Sequence, residues 1–186
     1  MDEPAIDAVI QAQLGRPTRG RSLPVSQCPL SLPVVVSVPP ILDDGTPFPT
    51  RFWLSCPLAH RRIARLEAAG EVRAWEARLA DDPKLAAAMD AAHQNYAALR
   101  TEAAPDEAKY LPRGGVAGLT RGGIKCLHAH YAHARAGGEN PVGKAVQAAI
   151  EPLNCTTPCV SVMEGSTARN SAWREPPLDS DATTPV

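Results

Sequence analysis

The chain changes character at Cys56-Pro57, and this change constrains the fold more than any other feature of the sequence. Before it, β-branched and apolar residues form strand-like runs, of which residues 34–38 and 51–55 are the clearest. After it, alanine-rich segments carry apolar residues at the spacing of amphipathic helices. Strands and helices that are segregated along a chain are typical of α+β proteins. We therefore predict an α+β fold in which a small antiparallel sheet of about three strands packs against a bundle of about four to six helices.

Capping residues and glycines indicate the bounds of the helices. One short helix is expected before the strands, at residues 3–14, and the others are expected at residues 58–69, 71–79, 83–101, 124–136 and 140–150. The 186 residues fit one domain, which we place at residues 1–152. Residues 153–186 are rich in Ser, Thr and Pro, so we predict a largely disordered C-terminal tail.

The charge balance excludes some classes of partner. The formal net charge is −1, so no overall field favours nucleic acid or an anionic membrane. No stretch of the sequence reaches the roughly 18 apolar residues that a membrane-spanning helix requires. The N-terminus lacks the basic and apolar regions of a signal peptide, which predicts a cytoplasmic protein.

The sequence does not identify a binding partner, and it is compatible with a protein partner.

The cysteines and histidines are the chemically suggestive residues. Five cysteines are an odd number, which cannot form a complete set of disulfides, and a reducing compartment disfavours structural disulfides. One cysteine and three histidines fall together within residues 126–133. Cysteines in this setting are core residues, metal ligands or reactive thiols.

Helical spacing within this cluster indicates a metal site. If the helix starts near Ile124, then Cys126, His130 and His133 share one face, and His128 points elsewhere. Thiolate and imidazole are ligands that zinc prefers, and a strand end that carries a cysteine can face a helix N-terminus. We therefore predict a zinc site whose ligands come from one set: Cys28, Cys56, Cys126, His130 and His133. His60 is a further candidate, and the scarcity of nearby acidic residues favours a structural role over a catalytic one.

Two chemical alternatives stay open, and the sequence does not decide whether the protein is an enzyme. In the first, the helix dipole and Lys125 stabilise a thiolate on Cys126, which then acts as a nucleophile. In the second, the glycine-rich entry to the helix binds an anion such as phosphate. Its candidate residues are Arg121, Gly122, Gly123 and Lys125.

Two further interpretations need no chemistry. In the first, Cys126 is a small core residue and the histidines are core or surface side chains with hydrogen-bond partners. Alternatively, the alanine-rich helices present a face to a protein partner, and the arginines within residues 61–65 contact acidic groups on it.

Six short segments also resemble a known family. They are residues 13–16, Cys28-Pro29, residues 44–50, residues 53–57, residues 78–83 and residues 125–130. In these segments, which occur in family order, the chain resembles the bacterial, largely actinobacterial, domain-of-unknown-function family 501 from about residue 6 to residue 152. The resemblance implies a standalone cytoplasmic bacterial protein, in which Cys28, Cys56, Cys126 and His128 or His130 lie in motifs typical of the family. It implies no particular activity.

Overall fold

The structure is a computed structural model that describes residues 3–106, 108, 110–163 and 166–178. Within these residues the chain forms six α-helices, one short 3-10 helix (Val116–Gly118) and two antiparallel sheets. The elements follow one another in the order α1 (Glu3–Leu14), β1 (Leu23–Gln27), β2 (Pro33–Ser37), β3 (Phe52–Leu54), α2 (Pro57–Ala68), α3 (Glu71–Asp81), α4 (Pro83–Glu102), α5 (Leu127–Arg135), α6 (Pro141–Ile150), β4 (Val160–Met163) and β5 (Ser166–Arg169). The predicted α+β class, with its three-stranded sheet and helical bundle, is confirmed. In the described part of the chain, every helix is too short or too polar to cross a membrane.

The three-stranded sheet has the order β1-β2-β3, and both of its strand pairs are antiparallel. The central strand β2 is buried along its whole length, as its run of three valines requires. Val35 packs in the main core with the helices that follow the sheet, whereas Val36 packs with Ile10 of α1. The sheet therefore lies between α1 and a layer of helices.

Helices α5 and α6 form the centre of that layer. Leu127 and Tyr131 of α5 and Val142 and Val146 of α6 are buried in the main core. Helix α5 also contacts both α2 and the edge strand β3. The first turn of α5 consequently lies where α2 and β3 approach it, and this is the part of the fold that holds the candidate site.

Residues 153–178 form more structure than the sequence predicts. Val160 of β4 is buried against Val9 of α1, and Arg169 of β5 donates hydrogen bonds to two carbonyl groups in the last turns of α1. The prediction of a largely disordered segment at 153–186 therefore differs from the structure up to residue 178. Few apolar residues are needed to order this segment, because α1, far away in the sequence, provides the surface on which Val160 packs. Residues 179–186 of that segment lie outside the described residues.

Replacing Tyr96 by phenylalanine is expected to lower the free energy of unfolding by about 1–3 kcal/mol. The Tyr96 hydroxyl accepts hydrogen bonds from the backbone N–H groups of Arg51 (2.7 Å) and Phe52 (3.2 Å), where the chain enters β3. Tyr96→Phe leaves these donors without a partner beside a fully buried ring. Urea unfolding followed by circular dichroism measures the change. Tyr110→Phe, at a side chain that is 79% exposed, is the matched control and is expected to have no effect. Equal effects of the two variants would contradict this role of the hydroxyl.

Candidate functional site

Helix α5 begins at Leu127, three residues later than the sequence pattern indicates. Cys126 is its N-cap residue and has an extended backbone, with φ −160° and ψ 148°. Helical spacing therefore does not apply to Cys126, which does not share a helical face with His130 and His133. Instead, Cys126 lies beside His128, which belongs to the first turn of the helix.

Glu67, in the last turns of α2, lies at the N-terminus of α5. Its carboxylate Oε1 accepts a hydrogen bond of 2.6 Å from the backbone N–H of Leu127. The first N–H groups of a helix lack partners within the helix and favour a negative charge nearby. Glu67 therefore supplies the anion that this helix start attracts. The sequence alone does not point to Glu67, because nothing local to this residue indicates a contact with a segment 60 residues further along the chain.

Glu67, Cys126 and His128 form one compact group. One possible ligand atom from each residue (a carboxylate oxygen, the thiol sulphur and a ring nitrogen) lies within 4.8 Å of the other two. All three residues are partly buried. Among the residues that the structure describes, this is the one set of three Cys, His, Asp or Glu side chains that meets this distance.

The contacts of His128 constrain its protonation. Its Nδ1 atom lies 3.0 Å from Glu67 Oε1, and its Nε2 atom lies 3.3 Å from the carbonyl oxygen of His60. Both neighbours are hydrogen-bond acceptors, and a neutral imidazole has one N–H to donate. A doubly protonated ring satisfies both contacts. A ring with its proton on Nε2 also satisfies them when a cation, or a proton on the Glu67 carboxyl group, lies between Nδ1 and the carboxyl oxygen.

An apolar cleft of about 440 Å³ opens beside this group. Phe52, Trp53 and other residues of the β3 region line one part of it, and Lys125, Cys126 and His128 line another. Clefts of this size with a few converging polar groups are typical of small-molecule sites. Cys126 and His128 are therefore accessible from a space that a small ligand could fill.

His130 and His133 are core residues of α5, and both are fully buried. The Asn140 side-chain amide donates to Nδ1 of His130 (3.0 Å) and to Nδ1 of His133 (3.3 Å). Burial lowers the pKa of His130 to about 3 and that of His133 to about 4, and the charge of His93 contributes in the same direction. The structure thus brings these two predicted ligands to Asn140, and not to a cysteine.

The buried His133 is expected to make stability depend on pH. An unfolded histidine has a pKa of about 6.5, so the unfolded chain binds a proton between pH 6.5 and 4 that folded His133 does not bind. The free energy of unfolding therefore falls as the pH is lowered through this window, by up to about 1.4 kcal/mol per pH unit from this residue. In His133→Asn, urea unfolding at a series of pH values should show a shallower fall in this window and no difference in slope above pH 7. Equal slopes in this window would contradict this assignment.

The predicted ligands Cys28 and Cys56 lie away from Cys126, at the other end of α2. Cys56 is the N-cap residue of α2, and burial raises the pKa of its thiol to about 12, although the N–H groups of Ala59 and Leu58 act in the opposite direction. Cys28 follows β1, and its carbonyl group accepts a hydrogen bond from Ser31 in the turn towards β2. Both thiols line one small cavity, together with two cysteines of the C-terminal segment.

The environment of Cys126 does not favour a reactive thiolate. Burial raises the pKa of the Cys126 thiol, and the carboxylate of Glu67 adds to this effect, whereas Lys125 lowers it only in part. An activated cysteine needs the opposite balance.

The glycine-rich entry to α5 contains features that do not attract an anion. Lys125 Nζ donates to the carbonyl oxygen of Ala117 at 3.4 Å, and Arg121 is exposed. A Cβ atom placed on Gly122 would lie 3.2 Å from a carboxylate oxygen of Asp90, and the carbonyl of Gly123 lies 3.1 Å from His93 Nε2. The nearest anion at this helix start is the Glu67 carboxylate of the protein itself.

Together, these features define an α+β protein with a Glu/Cys/His group beside an apolar cleft. The chain belongs to the family described as "Protein of unknown function (DUF501)", which matches residues 25–148. This match confirms the resemblance found in the sequence, and it includes Glu67, Cys126 and His128. No curated protein matches the chain, and no solved structure matches it.

Proposed function

We propose that this protein binds a zinc ion through Glu67, Cys126 and His128, beside the cleft. The convergence of three ligand atoms within 4.8 Å of one another carries this proposal. Carboxylate, thiolate and imidazole are all established zinc ligands. In a tetrahedral site with bonds of about 2.0 Å, a nitrogen and an oxygen ligand lie about 3.3 Å apart. The distance of 3.0 Å between His128 Nδ1 and Glu67 Oε1 is close to this value.

The groups around the three ligands support the same proposal. Histidine ligands usually donate their second N–H to a carbonyl or carboxylate, and carboxylate ligands are themselves hydrogen-bonded. The carbonyl of His60 is in place to receive the Nε2 proton of His128, and the N–H of Leu127 already donates to Glu67. When neutral His128 carries its proton on Nε2, the unprotonated Nδ1 atom faces Glu67 Oε1, and both atoms are hydrogen-bond acceptors. A zinc ion bound to both atoms would remove this unfavourable contact.

Zinc bound here would act on both the fold and the cleft. It would join the end of α2 to the start of α5, which agrees with the structural role that the sequence favours. Three protein ligands leave one position of a tetrahedron for water or for a polar group of a bound molecule. Because Cys126 and His128 line the cleft, this position would be reached from the cleft.

Removal of any one ligand is expected to weaken zinc binding by at least about 10- to 100-fold. Loss of a group that only hydrogen-bonds to a metal ligand already has an effect of this size, and loss of the ligand itself should have a larger one. The variants are Glu67→Gln, Cys126→Ser and His128→Asn. Zinc affinity is measured on the full chain by competition with a chromophoric chelator.

Glu76→Gln is the matched control, since it removes the same charge from an exposed position on α3. It is expected to bind zinc as the unaltered protein does. Unaltered zinc affinity and an unaltered number of bound zinc ions per chain in all three ligand variants would rule out the site.

We also propose a cytoplasmic location. The five cysteines are free in the structure, and free thiols persist in reducing compartments. Expression of the tagged chain followed by cell fractionation tests this proposal, and recovery in an extracellular fraction would contradict it.

A further inference from the structure

Four cysteines from separate parts of the chain line one small cavity. Cys28 follows β1, Cys56 begins α2, and Cys155 and Cys159 precede β4. The cavity has a volume of about 10 Å³, which is room for about one small sphere such as a water molecule. The remaining cysteine of the chain is Cys126, which lies beside Glu67 and His128.

Two of these four sulphur atoms receive hydrogen bonds from side-chain N–H donors. Trp173 Nε1 donates to Cys155 Sγ at 3.5 Å, and Gln13 Nε2 donates to Cys159 Sγ at 3.6 Å. N–H donors around sulphur stabilise the thiolate, which is the form that binds metal ions. Such donors are the outer partners that metal–thiolate sites use.

We propose that Cys28, Cys56, Cys155 and Cys159 form a second metal site, which binds one zinc ion through four thiolates. Four thiolates around one ion are a common structural zinc set. With Zn–S bonds of about 2.3 Å, the sulphur atoms of a tetrahedral site lie about 3.8 Å apart. No three of these four sulphurs lie within 4.8 Å of one another in the described structure, so binding requires the thiols to turn inwards around the ion.

This site would tie the C-terminal segment to the rest of the fold. Cys28 and Cys56 lie within the part of the chain that matches the family, whereas Cys155 and Cys159 lie beyond its end at residue 148. A shared ion would therefore join the ends of β1 and β3 to the segment that leads into β4. The site depends on none of the three ligands at the cleft.

Cobalt(II) substitution tests the four-cysteine site directly, because thiolate ligands give cobalt a charge-transfer band whose intensity rises with their number. The unaltered full chain is expected to bind about two cobalt ions if both sites exist, and to show the strong band of several thiolates. The double variant Cys155→Ser/Cys159→Ser is expected to lose one ion and most of this band. Glu67→Gln, which alters only the cleft site, is expected to keep the band. The experiment therefore tests the two sites independently of each other.

A thiol count on the unaltered zinc-loaded protein provides a second measurement that needs no variant. The four thiols of this set are expected to become reactive only after a strong chelator is added, and the thiol of Cys126 joins them if the cleft site also holds zinc. Reaction of all five thiols before the chelator would overturn the proposal. So would thiols that appear only after a reductant, which would indicate disulfides, or an unchanged cobalt spectrum in the double variant.

Discussion

Replacing Arg62 by alanine is expected to lower the free energy of unfolding by about 3–5 kcal/mol, because several hydrogen bonds to a charged group, each contributing about 1.5–3 kcal/mol, are lost together. The Arg62 side chain is on α2 and the residue is only 4% exposed. Its guanidinium donates to the carbonyl groups of Ile150 (2.6 Å), the last residue of α6, and of Pro152 (2.7 Å), just beyond it. It also donates to the side chain of Asn154 and to two carbonyl groups at residues 176–177. Arg62→Ala leaves these acceptors without a donor where water has little access.

Arg65→Ala is the matched control, one turn further along α2. Arg65 pairs with Glu175 at 2.6 Å, but its side chain is largely exposed, and exposed ion pairs contribute about 1 kcal/mol or less. Denaturant unfolding of both variants measures the contrast. A loss of stability in Arg62→Ala no greater than in Arg65→Ala would show that the buried guanidinium does not hold the C-terminal segment against α2.

Replacing Gly143 by alanine is expected to destabilise the protein by about 1–3 kcal/mol or more, the usual cost of overpacking. Gly143 lies in the first turn of α6, where α6 crosses α5. A Cβ atom at this position would lie 2.1 Å from the carbonyl oxygen of His130 and 2.7 Å from the Cβ atom of Ala134. Since the first of these atoms belongs to the backbone, α5 and α6 must move apart to accept the methyl group.

The expected sign is opposite to that of helix propensity, which favours alanine over glycine by about 1 kcal/mol in a helix interior. Ala148→Gly, at an exposed position of the same helix, is the control and is expected to cost about that amount. Thermal unfolding of both variants distinguishes propensity from packing. A Gly143→Ala variant that is more stable than the unaltered protein would contradict the close approach of the two helices.

The fold could be predicted largely from the sequence, because it is built from strong local patterns. The valine run of β2 and the apolar spacing of the helices after Pro57 both indicate their elements without reference to the rest of the chain. The predicted helix at 140–150 agrees closely with α6, since Asn140 caps it and Pro141 begins it. The hairpin of β4 and β5 was not predicted, because α1 supplies the partner for its buried valine.

The candidate site could be predicted only in part, for the same physical reason. The cysteine and histidines at 126–133 mark the right segment, but the extended backbone of Cys126 changes which of them point together. His128, which helical spacing set aside, joins Cys126, while Asn140 holds His130 in the core. Their acidic partner belongs to α2, and only the tertiary contact between α2 and α5 reveals it.

The arginines of α2 show the same limit on the surface. The sequence pattern is compatible with a solvated helix face or an acidic partner. In the structure, Arg61 lies over the ring of Trp173, and Arg65 pairs with Glu175. Arg62 is buried between them. The C-terminal segment of the same chain therefore contacts all three of these arginines.

Anomalous diffraction from crystals of the zinc-loaded full chain, recorded on both sides of the zinc absorption edge, tests the cleft site most directly. We expect an anomalous difference peak about 2.0–2.3 Å from the Glu67 carboxylate, Cys126 Sγ and His128 Nδ1. A map with no peak between these three residues, or with zinc bound only elsewhere in the molecule, would contradict the proposed function.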